Sequence, residues 1–299
     1  MRQQIDGIFL LDKPIGMTSN AALQRVKRMF NAKKAGHTGS LDPIATGMLP
    51  ICFGEATKFS QFLLESDKSY HVTAKLGVQT TTGDREGEII AEKPWQDIHA
   101  EQIRKVMKQF VGEIEQIPPM YSALKFQGDP LYKLARRGIE VERKPRKITI
   151  FSLTFEILEE NQFTFTVHCS KGTYVRTLVE DIGRELACGA HVTALNRMMV
   201  SPYQHASMYS LSSIETIAAQ SGMAGLAACL LPMETAVQRL EAVKLSTASV
   251  FYLQQGQSVR TNMSTPYSLV RLLDESGKFL GIGEVLADGR VKPYRLRVM

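Results

Sequence analysis

An α+β fold is predicted for this chain of 299 residues, on three observations. Two stretches, 70–76 and 163–169, alternate apolar and polar side chains as half-buried strands do. Two others, 97–110 and 173–186, repeat apolar residues at helical spacing. From residue 244 onward the chain changes to short strands around turns. Helices and mostly antiparallel strands are interleaved without a regular strand–helix alternation. A mixed, largely antiparallel sheet with flanking helices is therefore favoured over a wound parallel sheet. The expected division is a large unit over 1–243 and a small β-rich unit over 244–299.

The first strand is expected over the apolar run Ile8 to Leu11, with a turn at Asp12-Lys13-Pro14 and Gly16. Thr18, Ser19 or Asn20 can cap the next helix by accepting a bond from a free backbone N–H. That helix runs to about Phe30, with Leu23, Val26 and Phe30 on one face. Two prolines and four glycines between Gly36 and Gly54 predict a long structured loop. Tyr70, Val72, Ala74 and Leu76 share one strand face. Ile103, Val106 and Phe110 share a helix face. Residues 125–147 are basic and turn-rich, an expected surface insertion, partly helical around 131–137. Phe163, Phe165, Val167 and Cys169 mark another strand. Val175, Leu178, Val179, Ile182 and Leu186 form a continuous helical stripe. Strands are expected at 268–273, 279–286 and 291–298.

Composition is that of a globular protein, with 44% apolar and 22% charged residues, so disorder is not the default. The formal net charge is +6 and it is unevenly spread. Residues 1–40, 125–147 and 286–299 carry +5, +5 and +3, leaving the remainder negative. Concentrated positive charge suits a polyanionic partner, because bound Lys and Arg release counterions from phosphates; three solvated faces would give the same counts. Cys52, Cys169, Cys188 and Cys229 form no CxxC pair, which speaks against a disulfide framework or a zinc site. No signal peptide and no stretch of about 20 apolar residues is present. A cytoplasmic protein without a membrane or metal partner is expected.

Three sets of residues could carry chemistry. Asp42 lies in the glycine-bearing loop and precedes Pro43, which restricts it to an extended backbone. An isolated Asp-Pro is also a common turn. Arg176 lies beside the buried stripe of its helix and needs an anionic partner if it is covered; alone it also suits a surface position. Tyr70 and Tyr174 could stack on an unstacked base, although the chain has nine tyrosines.

Together these residues resemble a known family. Gly36-His37-Thr38-Gly39-Ser40-Leu41-Asp42-Pro43-Ile44-Ala45-Thr46-Gly47-Met48-Leu49-Pro50 is similar to the catalytic motif of the TruB family of tRNA pseudouridine synthases, which act on position 55. Lys13-Pro14-Ile15-Gly16-Met17-Thr18-Ser19, Lys68-Ser69-Tyr70, Ile117-Pro118-Pro119-Met120-Tyr121-Ser122-Ala123, Lys171-Gly172-Thr173-Tyr174-Val175-Arg176 and Gly189-Ala190-His191-Val192 agree in the family's order. The C-terminal strands resemble its small PUA-like RNA-binding domain. The resemblance implies a pseudouridine synthase fold, no cofactor, and the T arm of tRNA as partner of a monomeric enzyme. It implies Asp42 as catalytic aspartate, Arg176 as its paired arginine and Tyr70 as the ring that stacks on the target base. It further implies that Lys13, Tyr174 and Leu195 bind substrate, that His37 enters the T loop, and that Lys133, Arg136, Arg137 and Lys144 in the insertion grip the RNA backbone.

Elementary chemistry is compatible with those roles. Making pseudouridine breaks the C1′–N1 bond and forms C1′–C5; nothing is oxidised and no group is carried away. One ionised carboxylate could act as nucleophile at C1′, as base at C2′ or as a stabiliser of oxocarbenium-like charge. Arg176 nearby is expected to lower the Asp42 pKa, typically by about 1–3 units. The target base must leave its stack, at a cost of a few kcal/mol that aromatic stacking offsets. A non-catalytic RNA chaperone would need the same basic surface without Asp42. An RNA N-glycosidase would cut the same bond and release the base.

Overall fold

The computed structural model describes residues 2–204, 206–266 and 268–297. In chain order the first half runs β1 (Gly7–Lys13), α1 (Ser19–Met29), β2 (Ala35–His37), β3 (Ala45–Phe53), α2 (Ser60–Leu64), β4 (Lys68–Leu76), β5 (Val78–Thr80), β6 (Ile89–Glu92), α3 (Ala100–Gln109) and β7 (Gly112–Gln116). Next come β8 (Lys125–Phe126), β9 (Asp129–Pro130), α4 (Leu131–Ala135), β10 (Arg146–Glu159), β11 (Gln162–Cys169), α5 (Val175–Glu185), β12 (Ala190–Val200) and α6 (Leu211–Ala228). The chain ends with β13 (Ala242–Lys244), α7 (Thr247–Gln254), β14 (Val259–Arg260), β15 (Leu269–Leu273), β16 (Phe279–Val285) and β17 (Arg290–Leu296). Val298, the expected end of the last strand, lies outside the described residues.

The main sheet has the order β1-β3-β12-β4-β11-β10-β7, with β2 on the far half of β3. Its pairs are antiparallel except β12 with β3, where Leu195, Asn196 and Arg197 oppose Ala45, Thr46 and Gly47. The second sheet runs β13-β15-β16-β17-β14. The α+β expectation therefore holds, with helices flanking a mixed, largely antiparallel sheet.

Burial explains the sequence patterns. Strand β4 alternates buried and half-buried residues along its whole length. Its buried side, with that of β11, meets α1, α3, α5 and α6 in one core. Strands β1 and β3 are covered on both faces. Phe9, Leu11, Leu49 and Ile51 face the helical core, while Ile8, Leu10, Met48 and Cys52 pack against Phe59, Met233 and Phe279. A strand buried on both faces reads as an unbroken apolar run rather than as an alternation.

That double burial corrects the long loop expected over 36–54. Residues Ala45–Phe53 form a nine-residue central strand, despite its glycine and proline. Pro50 survives because of where it sits. Strand β12 pairs β3 only as far as Gly47, and β2 takes over from Ile51. Pro50 fills the step between those partners, where its missing N–H leaves no broken ladder bond. Its carbonyl still accepts from Thr38 N at 3.0 Å. Gly47, at φ +96°, lets β12 approach; a Cβ there would stand 2.7 Å from Asn196 Oδ1.

The further differences are boundaries and elements that the sequence did not announce. Thr18 is the N-cap of α1, accepting from Ala21 N. The expected insertion over 125–147 ends sooner, because Arg146 and Lys147 already pair with Gln116 and Glu115 in the main sheet. Between them, β8 and β9 form a small hairpin and α4 is a short helix anchored by buried Leu131 and Leu134. Strands β7, β10 and β12 and helices α6 and α7 are among the elements that the sequence reading did not include. No helix is long and apolar enough to cross a membrane among the described residues.

Candidate active site

Residues 38–44 form a loop between β2 and β3, and it is pinned from several sides. Leu41 N donates to Ser19 Oγ at 2.7 Å, and Ser19 Oγ approaches Leu41 O at 3.0 Å. Gly16 N donates to Pro43 O at 2.8 Å, tying in the turn after β1. Ala45 N donates to Asp42 O at 3.0 Å. Asp42 is thus held by backbone geometry before any side-chain contact is counted.

Its carboxylate meets Arg176, with Nε to Oδ2 at 3.0 Å. Arg176 is only 7% exposed in its side chain while Asp42 keeps 41%, so the arginine forms the floor and the carboxylate faces the opening. The arginine lies in the first turn of α5 and is buried more deeply than its place beside the apolar stripe suggested. It is accommodated because every edge of the guanidinium is used. Nη1 donates to Thr82 O at 2.8 Å and Nη2 to Tyr121 O at 2.8 Å. Nη1 also lies 3.4 Å from Asp84 Oδ2, on a side chain 4% exposed.

Asp84 was not singled out in the sequence. It is a buried second anion on the same arginine, braced by Thr82 Oγ1 at 2.6 Å and Glu86 N at 3.0 Å. Its presence changes the electrostatics expected of Asp42. Burial pushes the Asp42 carboxyl above the ordinary carboxylate range; Arg176 and Lys13 pull it down, and Asp84 pushes it up again. The expectation that Arg176 would set a depressed pKa is therefore corrected. The arginine is shared between two carboxylates, and desolvation outweighs its pull.

The remaining expected residues divide into two groups. Tyr70, on β4, and Leu195, on β12, are both buried on the core face. Tyr174 is the N-cap of α5 and has no side-chain cap of its own. Its backbone is gripped by the buried Gln116 side chain: Tyr174 N donates to Oε1 at 2.8 Å, and Nε2 donates to Tyr174 O at 3.1 Å. Gln116, too, was missed from sequence. His37 ends β2, and its Nδ1 is buried with no partner among the described residues. Burial and the charge of Arg197 both pull its pKa down, which favours the neutral ring.

Lys13 is fully buried, and its Nζ donates to Pro14 O at 2.9 Å and to Met17 O at 2.6 Å. Burial draws its pKa down to about 8 while the Asp42 charge opposes that fall. Lys13 thus closes its own turn and adds positive potential beneath Asp42. The second group, Lys133, Arg136, Arg137 and Lys144, is exposed on the insertion, with Arg136 over the Tyr132 ring at 5.7 Å. No group of three or more His, Cys, Asp or Glu residues is placed to hold a metal ion among the described residues.

Comparison with known proteins identifies the family of the chain. Residues 27–175 match the TruB family pseudouridylate synthase N-terminal domain. Residues 176–238 match the tRNA pseudouridylate synthase B C-terminal domain, and 242–296 match the pseudouridine synthase II TruB C-terminal region. A tRNA pseudouridine synthase B from Coxiella burnetii is 54% identical over 99% of this chain and 96% of its own. One from Ectopseudomonas mendocina is 52% identical over 99% and 96%. Among solved structures, a chain of a Cbf5–Nop10–Gar1 complex has a TM-score of 0.74 at 25% identity, covering 98% of this chain and 84% of that one.

Proposed function

Since the chain belongs to the TruB family of pseudouridine synthases, we propose that it converts uridine 55 in the T loop of tRNA to pseudouridine, with Asp42 as the catalytic carboxylate. The observation that carries the reading is Asp42 itself. It is open to a ligand on one side, ion-paired to a buried arginine on the other, and set in a loop tied by hydrogen bonds to Ser19 and Gly16. A structural Asp-Pro turn needs no buried cation behind it.

The target uridine flips out and stacks on Tyr70, with Tyr174 and Leu195 around it and His37 entering the space it leaves. Asp42 acts at the sugar while the C1′–N1 bond breaks, and the electron pair stays with the base. The base then turns and C5 bonds to C1′. C5 loses its hydrogen, N1 gains one, and the reaction balances as an isomerisation without a cofactor. The fixed Arg176 keeps the carboxylate aimed, so little reorganisation is needed when charge develops. We further propose that residues 1–243 form the catalytic unit and 244–299 a PUA-like RNA-binding unit, and that the enzyme works as a monomer in the cytoplasm. Incubating purified protein with unmodified tRNA and mapping the product tests the reading. Pseudouridine at a single T-loop position is expected. Free uracil would indicate an N-glycosidase, and unchanged RNA a binding protein.

The insertion grips the phosphate backbone in this reading. Phosphate contacts position a nucleic acid without reading its sequence. Changing Lys133, Arg136, Arg137 and Lys144 together to Ala is expected to weaken tRNA binding. It should also flatten the salt dependence by about one unit or less of log–log slope per lost contact. The modified position should not change. Dissociation constants across a salt series decide this, and identical slopes and affinities for parent and variant would remove the insertion from the interface.

A further inference from the structure

Gln116 ends β7, the edge strand of the main sheet, and is 2% exposed. Its backbone is anchored there by pairing with Arg146 of β10. Its side-chain amide makes two bonds to a single residue. Tyr174 N donates to Oε1 at 2.8 Å, and Nε2 donates to Tyr174 O at 3.1 Å. A hydrogen-bonded residue in an antiparallel ladder exchanges both of its backbone groups with one partner in the same manner. The Gln116 amide takes the place of that partner. Tyr174 is extended, at φ −100° and ψ 106°, and its carbonyl also accepts the first helical bond of α5, from Leu178 N at 3.0 Å. The amide therefore fixes the point at which extended chain gives way to helix.

The same segment reaches α5 a second time. Tyr121 O accepts from Arg176 Nη2 at 2.8 Å. Between Gln116 and Tyr121 lie Pro118 and Pro119, whose rings lock φ and stiffen the link. Residues 116–121 thus form a bracket across the first turn of α5, with the Tyr174 backbone at one end and the Arg176 guanidinium at the other. Arg176 in turn meets Asp42, Nε to Oδ2 at 3.0 Å. We propose that Gln116 is a positioning residue for the isomerisation: by fixing the start of α5, it sets where Arg176 stands against Asp42. The inference rests on the pseudouridine synthase reading above.

Arg176 is the second residue of α5, so a shift at Tyr174 is passed to it through very little chain. The first N–H groups of a helix have no partner within it, and such ends fray unless something outside ties them. No side chain of α5 caps its own start; Gln116 supplies the tie from another strand. The guanidinium needs accurate placement because it serves Asp42, Asp84 and the carbonyls of Thr82 and Tyr121 at once. A displacement of about 1 Å at such a group costs about 10²-fold in rate. The Gln116 amide is spent on backbone, so its effect on the chemistry passes through what it holds.

The test is Gln116→Met, read as single-turnover rate constants across a pH series with saturating enzyme in excess over tRNA. Met keeps the length of the side chain and loses both bonds. In this regime a smaller folded fraction leaves the rate constant unchanged, so a loss of stability alone is not read. The rate constant is expected to fall about 10²-fold, with the tRNA dissociation constant close to the parent's. The acid limb of the profile should also move to higher pH. Asp42 faces Arg176, Asp84 and Lys13, and Arg176 is the strongest pull against the rise that burial causes. An arginine no longer held in place pulls less, so the ionised carboxylate is lost at a higher pH as the solution is acidified. If Gln116→Met loses its cooperative thermal transition, Gln116→Asn, one methylene short of Tyr174, is read on the same criteria. An unchanged rate constant would overturn the proposal. So would a slower variant whose acid limb stays at the parent's pH, because Gln116 would then act by a route other than Arg176. A parent protein that makes no pseudouridine would instead refute the function itself, a result that no behaviour of the variants imitates.

Discussion

Asp42→Asn is expected to reduce pseudouridine formation by at least about 10³-fold, or about 4 kcal/mol of transition-state stabilisation at 1.36 kcal/mol per factor of ten. The amide preserves the size and planarity of the side chain. Every contact that fixes the loop, from Ser19 to Leu41 and from Gly16 to Pro43, is independent of the carboxylate. What is lost is the negative charge, whichever of nucleophile, base or electrostatic stabiliser it provides. Binding of tRNA should therefore change little while single-turnover rates collapse. The pH profile of the parent carries the same information. Burial raises the Asp42 pKa, so the active ionised form is lost nearer to neutrality than for an exposed aspartate. The rate should fall as pH falls through that value. A variant turning over within tenfold of the parent, with binding unchanged, would remove Asp42 from the chemistry.

The parts of this site that could be read from sequence are those fixed by local chemistry. Pro43 and its neighbouring glycines announce a constrained Asp42, and the alternation of 70–76 places Tyr70 on a buried face before any partner is known. The stripe in α5 locates Arg176 to within one turn. What escaped notice depends on contacts between residues distant in the chain. Asp84 meets an arginine 92 residues later, and Gln116 grips a backbone 58 residues away. Arg197 donates to carbonyls 149 and 158 residues earlier. A lone charged or amide residue is ordinarily assigned to the surface, because burial without partners is costly. Only the assembled fold shows that the partners exist. Strand β3 escaped for a related reason. Its Pro50 and Gly47 forbid a strand in isolation and are tolerated only because β12 and β2 meet it on either side of the proline.

Arg176→Met should cost stability as well as activity, and the two losses can be separated. The guanidinium is the cation shared by Asp42 and by Asp84, which is 4% exposed. Removing it leaves a buried carboxylate facing an apolar side chain and orphans the carbonyls of Thr82 and Tyr121. Breaking a buried pair in this way typically costs about 3–5 kcal/mol. In the variant, an unpaired buried carboxylate has a folded-state pKa above its unfolded value. A raised pKa favours the folded state at low pH, and that advantage disappears as pH rises through the folded value. The stability gap between parent and variant is therefore expected to be wide at neutral pH and to narrow as the solution is acidified. Adding Asp84→Asn to Arg176→Met should recover part of the lost stability at neutral pH, since the amide removes the stranded charge. It should not recover turnover, because Asp42 still lacks the group that aims it. Denaturant unfolding of the parent, the single and the double variant at several pH values measures the first effect, and single-turnover assays measure the second. A gap independent of pH, or a double variant no more stable than the single one, would show that the Arg176–Asp84 contact does not hold this part of the fold together.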